Sequence, residues 1–296
     1  MDPFAFINRN VPDIPVHEGV EELNAFSHGD GSPIAGWSWK PKGQAKGTLF
    51  CLHGFSDNCR NSESWPHWIK LAAQHNVALV TFDFRHHGQS SDQWPSFGTG
   101  EAWDLLGVID RAEELGFPQP FIISASSLGA MAAQRATVED VRIKGCFLAE
   151  IPECPWHAVG STIWNELKGM GKLLVPFGTV IGGNMINAYY RWQILTDGDV
   201  RRHPAVRNPS HQPLILFIMG TKDEFEIKKT RGVYDTWYAD VFGVAGAGYK
   251  PHEEPKARKW FVEVDGASHS GRGNYCVYDW EHFGACQDSF MRRCLE

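Results

Sequence analysis

Short, unbroken apolar runs recur along this chain, at residues 48–52, 77–82, 121–124, 145–149, 214–219 and 261–264. They lack the alternation of a half-exposed strand and suit strands buried on both faces of a parallel sheet. Parallel neighbours cannot be joined by a tight turn, so each needs a crossover, most often a helix. Residues 101–116 supply one. Ala102, Leu105, Leu106, Ile109 and Ala112 recur at helical spacing, Glu101 and Asp104 sit in the first turn, and Gly116 with Pro118 ends the pattern. Strands alternating with helices predict a doubly wound α/β fold, with a mostly parallel central sheet and helices on both faces. Asp30-Gly31 ahead of the run 34–39 predicts an antiparallel hairpin on the sheet edge.

The alternation stops after Ile151-Pro152. No strand pattern follows until about Gln212, and Trp156, Trp164, Met170, Phe177, Met185, Tyr189, Tyr190 and Trp192 are spread among glycines. This stretch is long for a simple crossover. It reads as a mostly helical cap, residues 152–212, inserted into a core made of 1–151 and 213–296, although its aromatic and Met content also suits ordinary helices packed on the sheet. Residues 241–259, glycine-rich and then charged, read as a surface loop.

Composition narrows the function classes. At 296 residues and 43% hydrophobic, the chain suits one large domain with an insertion. A net charge of −7 argues against a nucleic-acid or anionic-membrane partner. The 7 cysteines are odd in number and lack compact metal spacing. Cys51 and Cys146 fall in strand runs and read as core thiols. Cys276, Cys286 and Cys294 are near enough in sequence to include a disulfide, but without an export signal a reduced interior is the simpler reading. The first residues lack a basic, then apolar, signal pattern, and the longest apolar stretch, 173–186, is broken by Pro176 and glycines. The expectation is a cytoplasmic protein without integral membrane association.

The chemistry concentrates where strands end. In the run from Phe121 to Ala130, an apolar strand is followed by Ser127, flanked at its second neighbours by Ala125 and Gly129, and then by a helical pattern rich in Ala, Met and Gln. Such a strand–turn–helix presents a nucleophile, and the helix start behind it supplies unpaired N–H groups and partial positive charge. The plainer reading is a helix N-cap by Ser126 or Ser127. A serine nucleophile needs a base, an orienting acid and an oxyanion hole. His53-Gly54-Phe55 directly follows the strand 48–52, which lets the Phe55 N–H pair with that of Leu128 as two oxyanion donors. Asp223 follows the strand 214–219, with Glu150 and Asp265 as rivals for the acid, and Glu224 and Glu226 reading as solvated. His269 lies in a small-residue loop after the last strand. Ser127, Asp223 and His269 thus stand in nucleophile–acid–base order at separate strand ends.

With these residues the chain resembles the α/β-hydrolase superfamily, in particular its lysophospholipase-like and monoacylglycerol-lipase-like serine hydrolases. The run Asp83-Phe84-Arg85-His86-His87-Gly88-Gln89-Ser90 looks like the family's D-x-R-G-H-G-x-S signature, which shapes the loop beside the oxyanion strand. Two positions depart from the family pattern. Ala125 replaces the first glycine of G-x-S-x-G, and His86 replaces a glycine in the signature, so a positive φ there would be costly. The resemblance implies a serine hydrolase of carboxylic esters working through an acyl-enzyme, with Ser127 as nucleophile, His269 as base, Asp223 as acid, Phe55 and Leu128 as oxyanion donors, and no cofactor or metal. Its motifs say little about substrate, and the apolar cap without a basic pocket motif suggests an uncharged, moderately apolar ester. Acyl transfer, thioester cleavage or aminopeptidase chemistry would use the same triad, and a non-catalytic ligand binder is the other class.

Overall fold

A computed structural model describes residues 18–55, 57–60, 65–149, 154–166, 169–203, 213–223, 242–245, 258–269 and 280–296, together with Phe4, Ile7 and Pro152. Glu150, Glu224, Glu226 and Cys276 lie outside them. The strands are β1 (Val20–Phe26), β2 (Pro33–Trp39), β3 (Thr48–Leu52), β4 (Ala78–Phe82), β5 (Phe121–Ser126), β6 (Ile143–Ala149), β7 (Leu214–Gly220), β8 (Phe242–Ala245) and β9 (Lys259–Val264). They form a 9-stranded sheet in the order β1-β2-β4-β3-β5-β6-β7-β9-β8. All pairs from β4 through β8 are parallel, and the β1–β2 hairpin is added antiparallel to β4 at one edge. The order reverses direction around β3, which places the strand ends of β3 and β5 side by side.

The helices are α1 (Trp65–His75), α2 (Thr99–Glu114), α3 (Leu128–Glu139), α4 (Pro155–Glu166), α5 (Val175–Tyr190), α6 (Ile194–Asp197) and α7 (Trp280–Leu295). Alternate strand residues feed two cores, one on each face. Phe50, Ile123, Leu148 and Phe217 pack with α2 and α3, whereas Leu49, Ile122, Phe147 and Leu216 pack with α1 and α7. Both faces of the inner strands are therefore covered, as their continuous apolar runs require. The α2 start is earlier than the periodicity predicts because Glu101 is the third helical residue. Its buried carboxylate accepts from the Gly98 N–H at 2.8 Å and closes the helix terminus.

One expectation needs correction. Residues 241–259 are not all loop, since Phe242–Ala245 pairs with β9 as an edge strand and Lys259 opens β9 fully buried. The run Phe-Gly-Val-Ala is too short for periodicity to reveal, and pairing with β9 stabilises it. Between β6 and β7 the described residues form helices and no strand. Among the described residues no helix is long and apolar enough to cross a membrane. Cys51, Cys146, Cys286 and Cys294 are buried free thiols, and burial pushes the Cys146 thiol up to about 12.

At the β5–α3 junction the backbones approach closely. A methyl at Gly129 would lie 2.7 Å from the His53 carbonyl oxygen and 2.9 Å from Leu52 Cβ, so only glycine lets α3 start against the end of β3. Ala125, by contrast, lies in regular β5 register between Leu52 and Leu148 with its methyl buried. Gly129→Ala is therefore expected to destabilise by about 1–3 kcal/mol, and Ala125→Gly by about 1 kcal/mol or less. Chemical denaturation of the two variants checks this, and equal losses would contradict it.

On the opposite face α1 and α7 are joined through a polar bridge. His67 Nε2 lies 2.8 Å from Gln287 Oε1, and Gln287 Nε2 donates to Ser124 Oγ at 2.7 Å. Burial lowers the His67 pKa from 6.5 to about 4, against a smaller opposing effect of the Gln287 bond. The unfolded chain thus takes up this proton at higher pH than the folded one. The stability His67 contributes is present above pH 6.5 and is lost as pH falls toward 4, by at most about 3 kcal/mol. Thermal melts across this window should show the loss, and His67→Phe should flatten it. A slope identical in the two proteins would contradict the assignment.

Candidate active site

Ser127 caps α3 with φ 50° and ψ −115°, a conformation that costs a non-glycine residue about 1–3 kcal/mol. Strain at this turn therefore sits at Ser127 itself, and Ala125 keeps ordinary strand geometry. The Ser127 N–H donates to the Ala149 carbonyl at the end of β6, 2.9 Å away, and this bond helps hold the turn. The Ser127 side chain makes no capping hydrogen bond to α3. Its Oγ lies instead 3.1 Å from His269 Nε2.

The His269 ring is oriented from its other side. Nδ1 lies 3.0 Å from Asp223 Oδ2 and 3.2 Å from Oδ1. The Asp223 side chain is fully buried and that of His269 is 12% exposed. Side chains from the ends of β5, β7 and β9 thus form one continuous chain, 142 residues apart in sequence at its outer link. The geometry lets a carboxylate fix the imidazole with a proton on Nδ1, which leaves Nε2 free to take a proton from the serine.

Two neighbours that sequence reasoning passed over hold this pair together. The Thr221 N–H donates to Val264 O at 3.0 Å and the Lys222 N–H to Ala267 O at 2.8 Å, which stitches the β7 loop to the β9 loop. Thr221 Oγ1 adds a bond to Asp265 Oδ1 at 3.0 Å and accepts from the Gly266 N–H at 2.8 Å. Asp265, a rival for the acid, is engaged in this loop contact. A methyl on Gly220 would lie 2.3 Å from Ala267 O, so the close approach depends on glycine there. The readable signal was Gly-Thr directly at the strand end.

The residues expected to supply oxyanion donors flank the turn at Ser127. Gly54 borders Ser127, since a methyl at Gly54 would lie 3.5 Å from Ser127 Cβ. Leu128 is the first residue of α3, so its N–H has no intrahelical partner. His53 fixes the peptide between them and the sheet. Its Nε2 accepts from the Phe84 N–H at 3.1 Å, which leaves Nδ1 to donate to Gly54 O at 2.7 Å. In a trans peptide the next N–H, that of Phe55, points opposite this carbonyl.

The signature 83–90 works through such contacts. Asp83 Oδ1 accepts from Cys59 N and Oδ2 from Gln89 N, at 2.8 and 2.9 Å. Gly88 is required because a methyl there would meet the Asp83 carboxylate. His86 does adopt the costly positive φ, 64°, anchored by its N–H to Ser91 O at 2.7 Å. His86 and His87 each direct Nδ1 to a backbone carbonyl, of Asp92 and Arg85 respectively. Arg85 is fully buried. It grips Asp104 through Nε and Nη2 at 3.0 and 2.6 Å, and its Nη1 donates to Tyr190 on α5 at 3.2 Å. Burial opposes the Arg85 charge, but Asp104 more than offsets it and holds the pKa well above the usual value. Tyr190 in turn donates to Trp94 O. Phe55 stacks on Phe97 at 5.3 Å and Trp94 on Tyr189 at 4.5 Å, and Phe4 contacts both Phe97 and Trp94, so aromatic rings link the loop after β3 to α5.

Known proteins share this architecture. An esterase of Pyrococcus furiosus, Pf2001, superposes with a TM-score of 0.69 over 98% of this chain and 99% of its own, at 15% identity. A cold-adapted esterase from an Arctic intertidal metagenomic library gives a TM-score of 0.57 over 97% of this chain and 99% of its own, at 17% identity. In sequence, the Synechocystis sp. protein named "Putative esterase slr0264" is 29% identical over 102 residues, 33% of this chain. The match spans only 28% of that relative's length. The profile of the alpha/beta hydrolase family matches residues 49–275, and the chain belongs to that family.

Proposed function

We propose that this protein is a serine hydrolase that cleaves carboxylic esters of uncharged, moderately apolar substrates. The observation that carries this reading is the unbroken contact from Ser127 Oγ through the His269 ring to Asp223. His269 Nε2 takes the Ser127 proton as Oγ attacks the ester carbonyl, and later gives it to the leaving alkoxide. Asp223 keeps the proton on Nδ1 and stabilises the imidazolium. The N–H groups of Phe55 and Leu128 hold the tetrahedral oxyanion, where loss of one such donor costs on the order of 10²–10³ in rate. Water, deprotonated by the same imidazole, then releases the acyl group. The esterase names of structural relatives favour this chemistry. The rings of Phe55, Phe97, Trp94 and Tyr189 favour an apolar substrate. Residues 152–212 act in this reading as a cap over the site, and no metal or cofactor takes part.

Hydrolysis of p-nitrophenyl esters of graded chain length tests the assignment. Ser127→Ala should lower kcat on the order of 10⁶-fold and Asp223→Asn on the order of 10⁴-fold, both with near-native melting temperatures. Undiminished turnover in Ser127→Ala would sink the mechanism. A larger loss in Glu150→Gln than in Asp223→Asn would move the acid to the loop after β6.

A further inference from the structure

Helix α5 is built inside out. Its glycine-rich side, Gly178, Gly182 and Gly183, packs on α4 against Ile163 and Trp156. The stripe at the opposite spacing, Phe177, Val180, Ile181 and Met185, faces outward, and Phe177 and Ile181 are 70% and 62% exposed. The turn that precedes α5 continues it with Leu173 and Leu174, 73% and 60% exposed. A water-facing helix ordinarily carries polar residues on this side.

The local charge is as unusual as the apolarity. Between Gly169 and Thr196 the sequence holds Lys172 and Arg191 and no carboxylate, in a chain with 35 acidic residues and a net charge of −7. Half-exposed tryptophans flank the stripe. Trp164 lies at one end with Lys172 Nζ 4.3 Å over its ring, and Trp192 follows the other end. Apolar side chains outward, aromatic rings at the margins and cations without acids are the combination a lipid–water interface takes up. A second copy fits less well, because a symmetric pairing would set cation against cation with no acid between them. We propose that the α5 stripe docks this protein on anionic lipid surfaces, with Leu173, Leu174, Phe177 and Ile181 entering the headgroup region and Lys172 meeting lipid phosphate. The whole-chain charge, which reads as unfavourable to such a partner, averages this local reversal away.

Flotation of the full chain with phosphatidylcholine vesicles, with and without phosphatidylglycerol, tests this. The protein should float with both and more strongly with the anionic ones. Phe177→Ser combined with Ile181→Ser should weaken vesicle binding about tenfold or more, with the melting temperature unchanged. Lys172→Glu should reduce only the preference for phosphatidylglycerol. A wild-type protein left unfloated overturns the proposal. If it is then a monomer by light scattering, the stripe serves no lipid, and if a dimer that the double variant dissociates, it joins two copies. Docking is independent of the chemistry at Ser127: vesicle binding without ester hydrolysis would uphold the former and remove only the latter.

Discussion

The contact of Gly129 with the end of β3 sets the geometry from which the site follows. Without a side chain there, α3 begins against Leu52 and His53, and the chain must turn at Ser127 within a single residue. The serine accepts a positive φ because its N–H is bonded to β6 and its carbonyl already accepts from Met131 in the first turn of α3. Strain of this size persists only where the surroundings over-determine it. Here β3, β5 and β6 do so together, and the reward is a hydroxyl aimed away from its own helix and toward His269.

The same sheet edge organises the remaining groups without any of them being near in sequence. β7 and β9 are neighbours, and their following loops are stitched by backbone bonds from Thr221 and Lys222, so Asp223 and His269 arrive already paired. On the other side of Ser127, the buried Asp83 and Arg85 shape the loop after β4. That loop locks His53 through Phe84 and, through His53, the Gly54 carbonyl. Arg85 also reaches Tyr190, so one desolvated cation ties the sheet edge to α5. Removing a single partner from such a buried network costs about 3–5 kcal/mol, more than its net contribution when intact.

Much of this was legible in the residues. The inner strands announced themselves because burial on both faces demands unbroken apolar runs, and Ser127, Asp223 and His269 were readable as strand-end residues in family order. What escaped had physical reasons. Strand β8 owes its existence to β9. The clamp by Thr221 depends on a loop-to-loop distance that no periodicity encodes. Ala125 looked like the weak point of the turn, yet a methyl fits in β5 and the demanding position is Gly129, since only the packing of α3 on β3 distinguishes the two flanks. The outward stripe of α5 was hidden because helical spacing gives the faces of a helix but not which of them meets water.

The central claim is that Ser127 is an activated nucleophile, held by His269 and Asp223. Labelling of the intact protein with a fluorophosphonate, followed by peptide mass spectrometry, tests it most directly. A single phosphonyl adduct on Ser127, slowed strongly in His269→Ala, is the result predicted. No adduct, or one on Ser126 or another serine, would contradict it.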